Sequence, residues 1–157
     1  MLFKTTEESL REYEEFKNHF KEQTGETVLE IEFAEVRADK SVYRALGIQT
    51  ESWQDSTWGL IVFAEGSIYY FTSTRENYLA RLMRSVKNNT KESVINFSGL
   101  KELTFCFPKK TFFSFFNAES KRTLNSSFID SNGKRQFFKL ITSSSAFEIW
   151  KKLTSYK

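Results

Sequence analysis

The chain has 157 residues, enough for one domain with a sizeable core, and carries 23 basic against 20 acidic side chains. A single cysteine, Cys106, and a single histidine, His19, exclude an internal disulfide and an ordinary zinc site. The N-terminus turns acidic at once, without an apolar core of signal-peptide length, and no apolar run approaches a membrane span, so a cytoplasmic protein is expected.

Thr5 with Glu8 reads as a capping box, and Gly25 stands where a helix would stop, which predicts a helix from about Thr6 to Gln23. Leu10, Tyr13, Phe16 and Phe20 form its apolar stripe at helical spacing, with His19 on the border. Thr27–Val36 alternates as a half-buried strand does, with Leu29, Ile31 and Phe33 on one side and Glu30 and Glu32 on the other. Residues 37–57 fit either a short helix or a loop lying on the sheet. In either case Val42, Tyr43, Leu46 and Ile48 supply the apolar contacts and Trp53 the anchor.

The clearest stretch is Trp58–Phe71, WGLIVFAEGSIYYF. Leu60, Val62 and Ala64 alternate with Ile61 and Phe63, so both faces of the first strand are apolar. The second run, Ile68–Phe71, is equally apolar, and Gly66 between them is expected to take the positive φ of a tight turn. Such a ribbon is unstable alone and needs a larger, covered sheet.

Arg75–Val86 returns to helical spacing, and Lys87–Glu92 reads as loop. Strand candidates follow at Val94–Phe97, Glu102–Phe107, Thr111–Phe116, Arg122–Ile129 and Lys134–Thr142. Pro108 ends one of them, and Cys106, between two phenylalanines, reads as a buried thiol. Asp130-Ser131-Asn132-Gly133 reads as a hairpin turn. It begins like a calcium loop, but Ile141 stands where the closing Glu would be. From about Ser144 the chain closes with a helix in which Phe147, Trp150 and Leu153 recur at three-residue spacing and act as a lid.

The pieces of known catalytic chemistry are missing. Glycines are neither numerous nor clustered as a phosphate loop needs, there is no Gly-x-Ser-x-Gly elbow, and spacing ties His19 to no nucleophile. A non-enzymatic protein without metal or cofactor is therefore expected. Charge is the remaining signal. Residues 1–36 sum to −6 and residues 75–157 to +10. Either the acidic segment lies over the basic one, or a cationic face awaits an anionic partner.

Basic doublets stand near turns at Lys109-Lys110, Lys121-Arg122 and Lys134-Arg135. They serve as a ligand-binding patch or as protection of strand ends against aggregation. Phe112, Phe113, Phe115 and Phe116, if exposed on one surface, would add stacking for a single-stranded nucleic acid.

The hairpin, the strand-rich middle and the closing SSSAFEIWKKL together resemble the pleckstrin-homology-like superfold in its GRAM-type and bacterial forms. The resemblance covers roughly residues 27–155. It implies an α+β domain over residues 1–157, with a bent seven-stranded antiparallel sheet, or partly open barrel, over 27–142. A C-terminal helix, 144–155, would plug the sheet through Trp150 with Phe147 and Leu153 beside it. The helix at 1–25 and the helical insertion at 75–90 would be additions. Phosphoinositide-binding members carry a Lys-x-Arg cluster in the first inter-strand loop, and residues 37–57 lack it.

The expected function is a binding or scaffolding module for a protein, an acidic peptide or an anionic membrane surface, through Lys109, Lys110, Lys121, Arg122, Lys134 and Arg135. Single-stranded nucleic-acid binding is the alternative, and a homo-oligomer is compatible with either.

Overall fold

The computed structural model of the protein describes residues 6–48, 56–72, 93–110 and 117–156. The Thr5 cap, the Trp53 anchor, the helix expected over Arg75–Val86 and the strand expected over Thr111–Phe116 lie outside the described residues. The elements in order are α1 (Thr6–Thr24), β1 (Val28–Arg37), α2 (Lys40–Leu46), β2 (Ser56–Ala64), β3 (Ile68–Thr72), β4 (Ser93–Asn96), β5 (Lys101–Cys106), β6 (Thr123–Ile129), β7 (Arg135–Thr142) and α3 (Ala146–Ser155). Short 3-10 turns occupy Phe97–Gly99 and Ala118–Arg122.

The seven strands among the described residues form one sheet in the order β4-β3-β2-β1-β7-β6-β5, and every neighbouring pair is antiparallel. The strands β4 and β5 stand at opposite edges, yet only Phe97–Leu100 separates them along the chain. The sheet must therefore bend until its edges face each other. The Phe97 and Phe105 rings meet across that unclosed seam with centroids 6.5 Å apart. The architecture is α+β: a bent, open antiparallel sheet with a C-terminal helix.

The apolar alternation of β2 has a direct cause. Ile61 and Phe63 face the inside of the bend, packing with Ala34, Val36, Tyr70, Leu124, Phe138 and Leu140. Leu60, Val62 and Ala64 face the other way, into a second cluster built by Phe16 and Phe20 of α1 with Tyr69 and Phe71. A helix on the outer face is what makes both sides of one strand dry. Burying each such ring contributes roughly 2–3 kcal/mol. Leu10, expected on the same stripe, is 59% exposed, because the packed part of α1 begins a turn later, at Glu12 and Tyr13.

Polar hydrogen bonds tie the inside of the bend together. Tyr43 OH donates to the Val36 carbonyl at 2.6 Å, which fixes α2 on β1. Tyr70 OH, fully buried, lies 2.9 Å from the Thr57 carbonyl and 3.2 Å from Thr57 Oγ1, and burial pushes its pKa far above the phenol range. The ambiguity of residues 37–57 resolves in part: Lys40–Leu46 is helical.

Two local expectations are corrected. Gly66 does not adopt a positive φ. Its N–H instead donates to Glu26 Oε1 at 2.9 Å, and an added Cβ would come within 3.0 Å of that oxygen. Cys106 is exposed rather than buried. Alternation turns Phe105 inward and Cys106 outward on an edge strand, so flanking phenylalanines do not report its burial.

The closing helix lies across the mouth of the bend. Ser145 Oγ caps it by accepting from the Glu148 N–H at 3.3 Å. Ala146, Ile149 and Leu153 are buried in the inner cluster, and Trp150 is half-buried with Nε1 donating to the Phe105 carbonyl at 3.3 Å. That indole thereby satisfies a carbonyl on edge strand β5.

Sequence spacing puts Phe147 beside Trp150 and Leu153 in the plug, but it is 55% exposed. It stands about 100° around the helix from Ala146, outside the 146-149-150-153 stripe, and Ile149 takes the core position. Glu30 and Glu32, read as the wet side of β1, in fact anchor this helix. Glu30 pairs with Lys152, and Glu32 accepts from Ser143 Oγ at 2.8 Å and from Ser144 Oγ.

Candidate anion-binding cleft

Strand register decides where the basic doublets go. Cys106 pairs with Asn125, Thr123 with Ile141, and Ile129 with both Lys101 and Arg135. The segments leaving β5, entering β6 and leaving β7 therefore emerge at one end of the sheet. These are 107–110, 117–122 and 143–147. The turn carrying Lys134 and Arg135 lies at the other end, roughly 20 Å away along the seven residues of β6. Two doublets converge and the third does not.

At the convergent end a cleft of about 520 Å³ is lined by Phe107, Pro108, Lys109, Lys110, Lys121 and Phe147, with Ser145 and Ala146 at the start of α3. Its floor is aromatic. Phe107 and Phe147 are 46% and 55% exposed, with ring planes 24° apart and centroids separated by 6.5 Å. Trp150 stacks with Phe147 at 6.4 Å between centroids and lies 5.5 Å from Phe107, tilted to it by 45°. Lys151 Nζ lies 5.1 Å from the Phe147 centroid, within cation–π range. Arg122 does not line the cleft, since its Nη1 donates to the Thr142 carbonyl at 3.2 Å.

A carboxylate close to Lys121 in sequence would normally neutralise such a site. Glu119 is instead drawn away by Arg37, whose Nη1 and Nη2 donate to its Oε1 and Oε2 at 2.6 and 3.2 Å. The Arg37 Nε also pairs with Glu35 Oε1. The guanidinium holds the Glu119 carboxyl below the usual carboxylate range, and the two carboxylates raise the Arg37 pKa above its ordinary value. The turn itself is tied by Asn117 Oδ1, which accepts from Glu119 N–H at 3.0 Å, and by Thr123 Oγ1, which donates to the Glu119 carbonyl at 2.7 Å. With Glu119 engaged by Arg37, Lys109, Lys110 and Lys121 form no ion pair with any described residue.

The opposite end differs. Asp130 Oδ1 accepts from the N–H groups of Asn132 and Lys134, both at 2.9 Å, and its Oδ2 accepts from Gln136 Nε2 at 2.8 Å. The Gln136 bond leads in holding the Asp130 carboxyl below its ordinary value. Arg135 is engaged with Ser127 Oγ at 3.0 Å and lies 3.8 Å from Glu102. Arg135 and the backbone N–H of Lys134 are thus engaged within the turn, while the Lys134 ammonium forms no ion pair with a described residue.

A second cleft of about 710 Å³ opens at the β4–β5 seam, between Phe97, Leu103, Phe105, Trp150, Leu153 and Tyr156. Among the described residues no charged side chain lines it. Its polar atoms are engaged internally, as where Tyr156 OH donates to the Ala64 carbonyl at 2.7 Å.

Among the described residues no three His, Cys, Asp or Glu side chains gather as metal ligands. His19 lies in α1 with its ring 6.3 Å from Phe71, while Cys106 sits on edge strand β5 with Sγ 3.4 Å from the Asn125 carbonyl. The residues that sequence reasoning missed at the cleft are Phe107, Lys151 and the Arg37–Glu119 pair. Only Phe107, bordering Pro108 at a strand end, left a readable trace. Comparison with protein-family models, with curated proteins and with solved structures finds no match.

Proposed function

We propose that the protein is a non-catalytic binding or scaffolding module that recognises an anionic partner at the 107–110, 117–122 and 145–147 end of its sheet. The observation that carries this reading is the convergence on one apolar-floored cleft of Lys109, Lys110 and Lys121, none of them ion-paired with a described residue. Each cation near an anionic surface contributes on the order of 1 kcal/mol, so three together support weak, salt-sensitive association. Acidic peptides, acidic protein surfaces and anionic membranes all carry the required charge. The strand order with α3 across the mouth also supports kinship with the pleckstrin-homology-like superfold, and we extend that kinship to this chain as a proposal.

The test is a panel of anions measured across salt concentrations: a labelled polyglutamate peptide, phosphatidylserine vesicles and a short oligothymidylate. Wild type should bind at least one of them, with affinity falling as salt rises. The K109E/K110E/K121E variant should lose that binding by roughly a hundredfold, taking on the order of 1 kcal/mol for each cation. K134E/R135E should retain it. Equal loss in both variants, or no binding by wild type, overturns the reading.

A further inference from the structure

Charge explains the lysines of the cleft but leaves its floor unexplained. Phe107 and Phe147 are each about half exposed, although Phe147 directly follows the buried Ala146. Their rings lie within 24° of parallel, and Phe147 also stacks with Trp150, to which Phe107 is tilted by 45°. An acidic peptide would satisfy Lys109, Lys110 and Lys121 through its carboxylates and still leave the exposed ring surface of Phe107 and Phe147 wet. A bilayer is met by rings that stand out singly from a convex tip, whereas these two line a concavity together with the lysines. Flat rings beside cations in a cleft of about 520 Å³ suit one ligand chemistry well: a planar heteroaromatic base that carries phosphate.

Resting on the anionic-partner reading, we infer that the cleft binds nucleotide units, with the base stacked on Phe147 and Phe107 and the phosphates held by Lys109, Lys110 and Lys121. Lysine suits the second task, since it meets phosphate as a compact point charge with freely rotating donors. Stacking of one base contributes about 1–3 kcal/mol and tolerates any base, because every base has a π-face. The units come from a single strand or from free nucleotides, and the chemistry of the site is common to both. In the sequence the requirement for exposed rings beside cations falls on Phe112, Phe113, Phe115 and Phe116, which lie outside the described residues. Phe107 and Phe147 meet it from either side of that segment.

The decisive probes are a fluorescent oligothymidylate, an abasic deoxyribose-phosphate strand of equal length, and thymidine monophosphate as competitor. Wild type should bind the oligothymidylate about tenfold more tightly than the abasic strand, as one stacked base implies. Binding should also change the emission of Trp150, whose indole shares the stack. Phe147→Ala, at an exposed position that spares the core, should erase that tenfold preference and leave abasic binding unchanged. K109E/K110E/K121E should lose both strands.

Competition by the monophosphate at comparable affinity identifies free nucleotides as the source, and binding of the strand alone identifies nucleic acid. Either outcome supports the inference. Equal affinity for the two strands, or a preference for polyglutamate or phosphatidylserine vesicles, overturns the base-stacking site and leaves the anionic cleft standing. Failure to bind any anion overturns both.

Discussion

The β5–β7 layer carries basic doublets at both of its ends, and the two ends surround them differently. At the 130–135 turn Asp130 collects two backbone N–H groups and the Gln136 amide, Arg135 reaches Ser127 and Glu102, and the Lys134 ammonium forms no ion pair with a described residue. At the 107–122 end the nearby carboxylate of Glu119 is taken up by Arg37 on β1, and the lysines are left facing a cleft. A charge count treats the doublets as equal. What separates them is whether the strand register brings them together on one apolar-floored cleft, as it does for Lys109, Lys110 and Lys121 and not for Lys134 and Arg135.

The largest effect that sharpens this contrast comes from Leu153→Ala. Leu153 is buried on the inner face of α3, so its truncation should cost about 2–5 kcal/mol through lost burial and the cavity left behind. Because α3 supplies Phe147 to one wall of the cleft, anion binding should weaken with it. Hydrogen exchange should show α3 opening while the 130–134 turn keeps its protection below the global transition. Simultaneous loss at both ends would mean that the two regions are not independent.

A smaller effect is expected at the opposite end. Gly133 sits at φ 78°, and the space a Cβ would take there is open to 4 Å, so Gly133→Ala meets only backbone strain, about 1 kcal/mol. Chemical denaturation should register that loss, and binding at the cleft should not change. A binding defect in Gly133→Ala would break the comparison, since it would couple the 130–135 turn to the cleft.

The smallest effect is a pH dependence. The Glu119 pKa is depressed in the folded state, so the stability its Arg37 pair contributes is complete above the unfolded value of about 4.3. It is lost only as pH falls through the lower folded value. With Glu119 40% exposed, solvent screening keeps this contribution to about 0.5 kcal/mol or less. The amide signals of 117–122 should stay constant from pH 7 to about 5 and move only in stronger acid. Movement between pH 7 and 5 would show that Arg37 does not hold the turn.

Much of the fold was legible because periodicity reports directly on burial. The doubly apolar β2 required cover on both faces, and α1 and the inner cluster provide it. Residues 146–155 read as a closing helix from a serine cap and an apolar stripe. The stripe reads one position off, because three-residue spacing from Phe147 and the i, i+4, i+7 pattern from Ala146 share Trp150 and Leu153. Spacing alone therefore assigns Phe147 to the core when it is surface.

Glu30 and Glu32 mislead for another reason. Alternation places them opposite Ile31 and Phe33 but does not say that a helix with Lys152 and two serines before it will meet them there. The cleft was half legible. The lysines were visible as doublets, but their convergence depends on the β5–β6 and β6–β7 register. The neutralisation of Glu119 depends on Arg37, which lies 82 residues away along the chain.

The central claim is that binding capacity resides at one end of the sheet and not at the other. Backbone and lysine side-chain NMR signals, followed during titration with oligothymidylate, report on both ends in a single experiment. Shifts concentrated in 107–110, 120–121 and 145–147, with 130–135 unmoved, are the result predicted. Shifts centred on Lys134 and Arg135, or spread evenly over all basic residues, would contradict it.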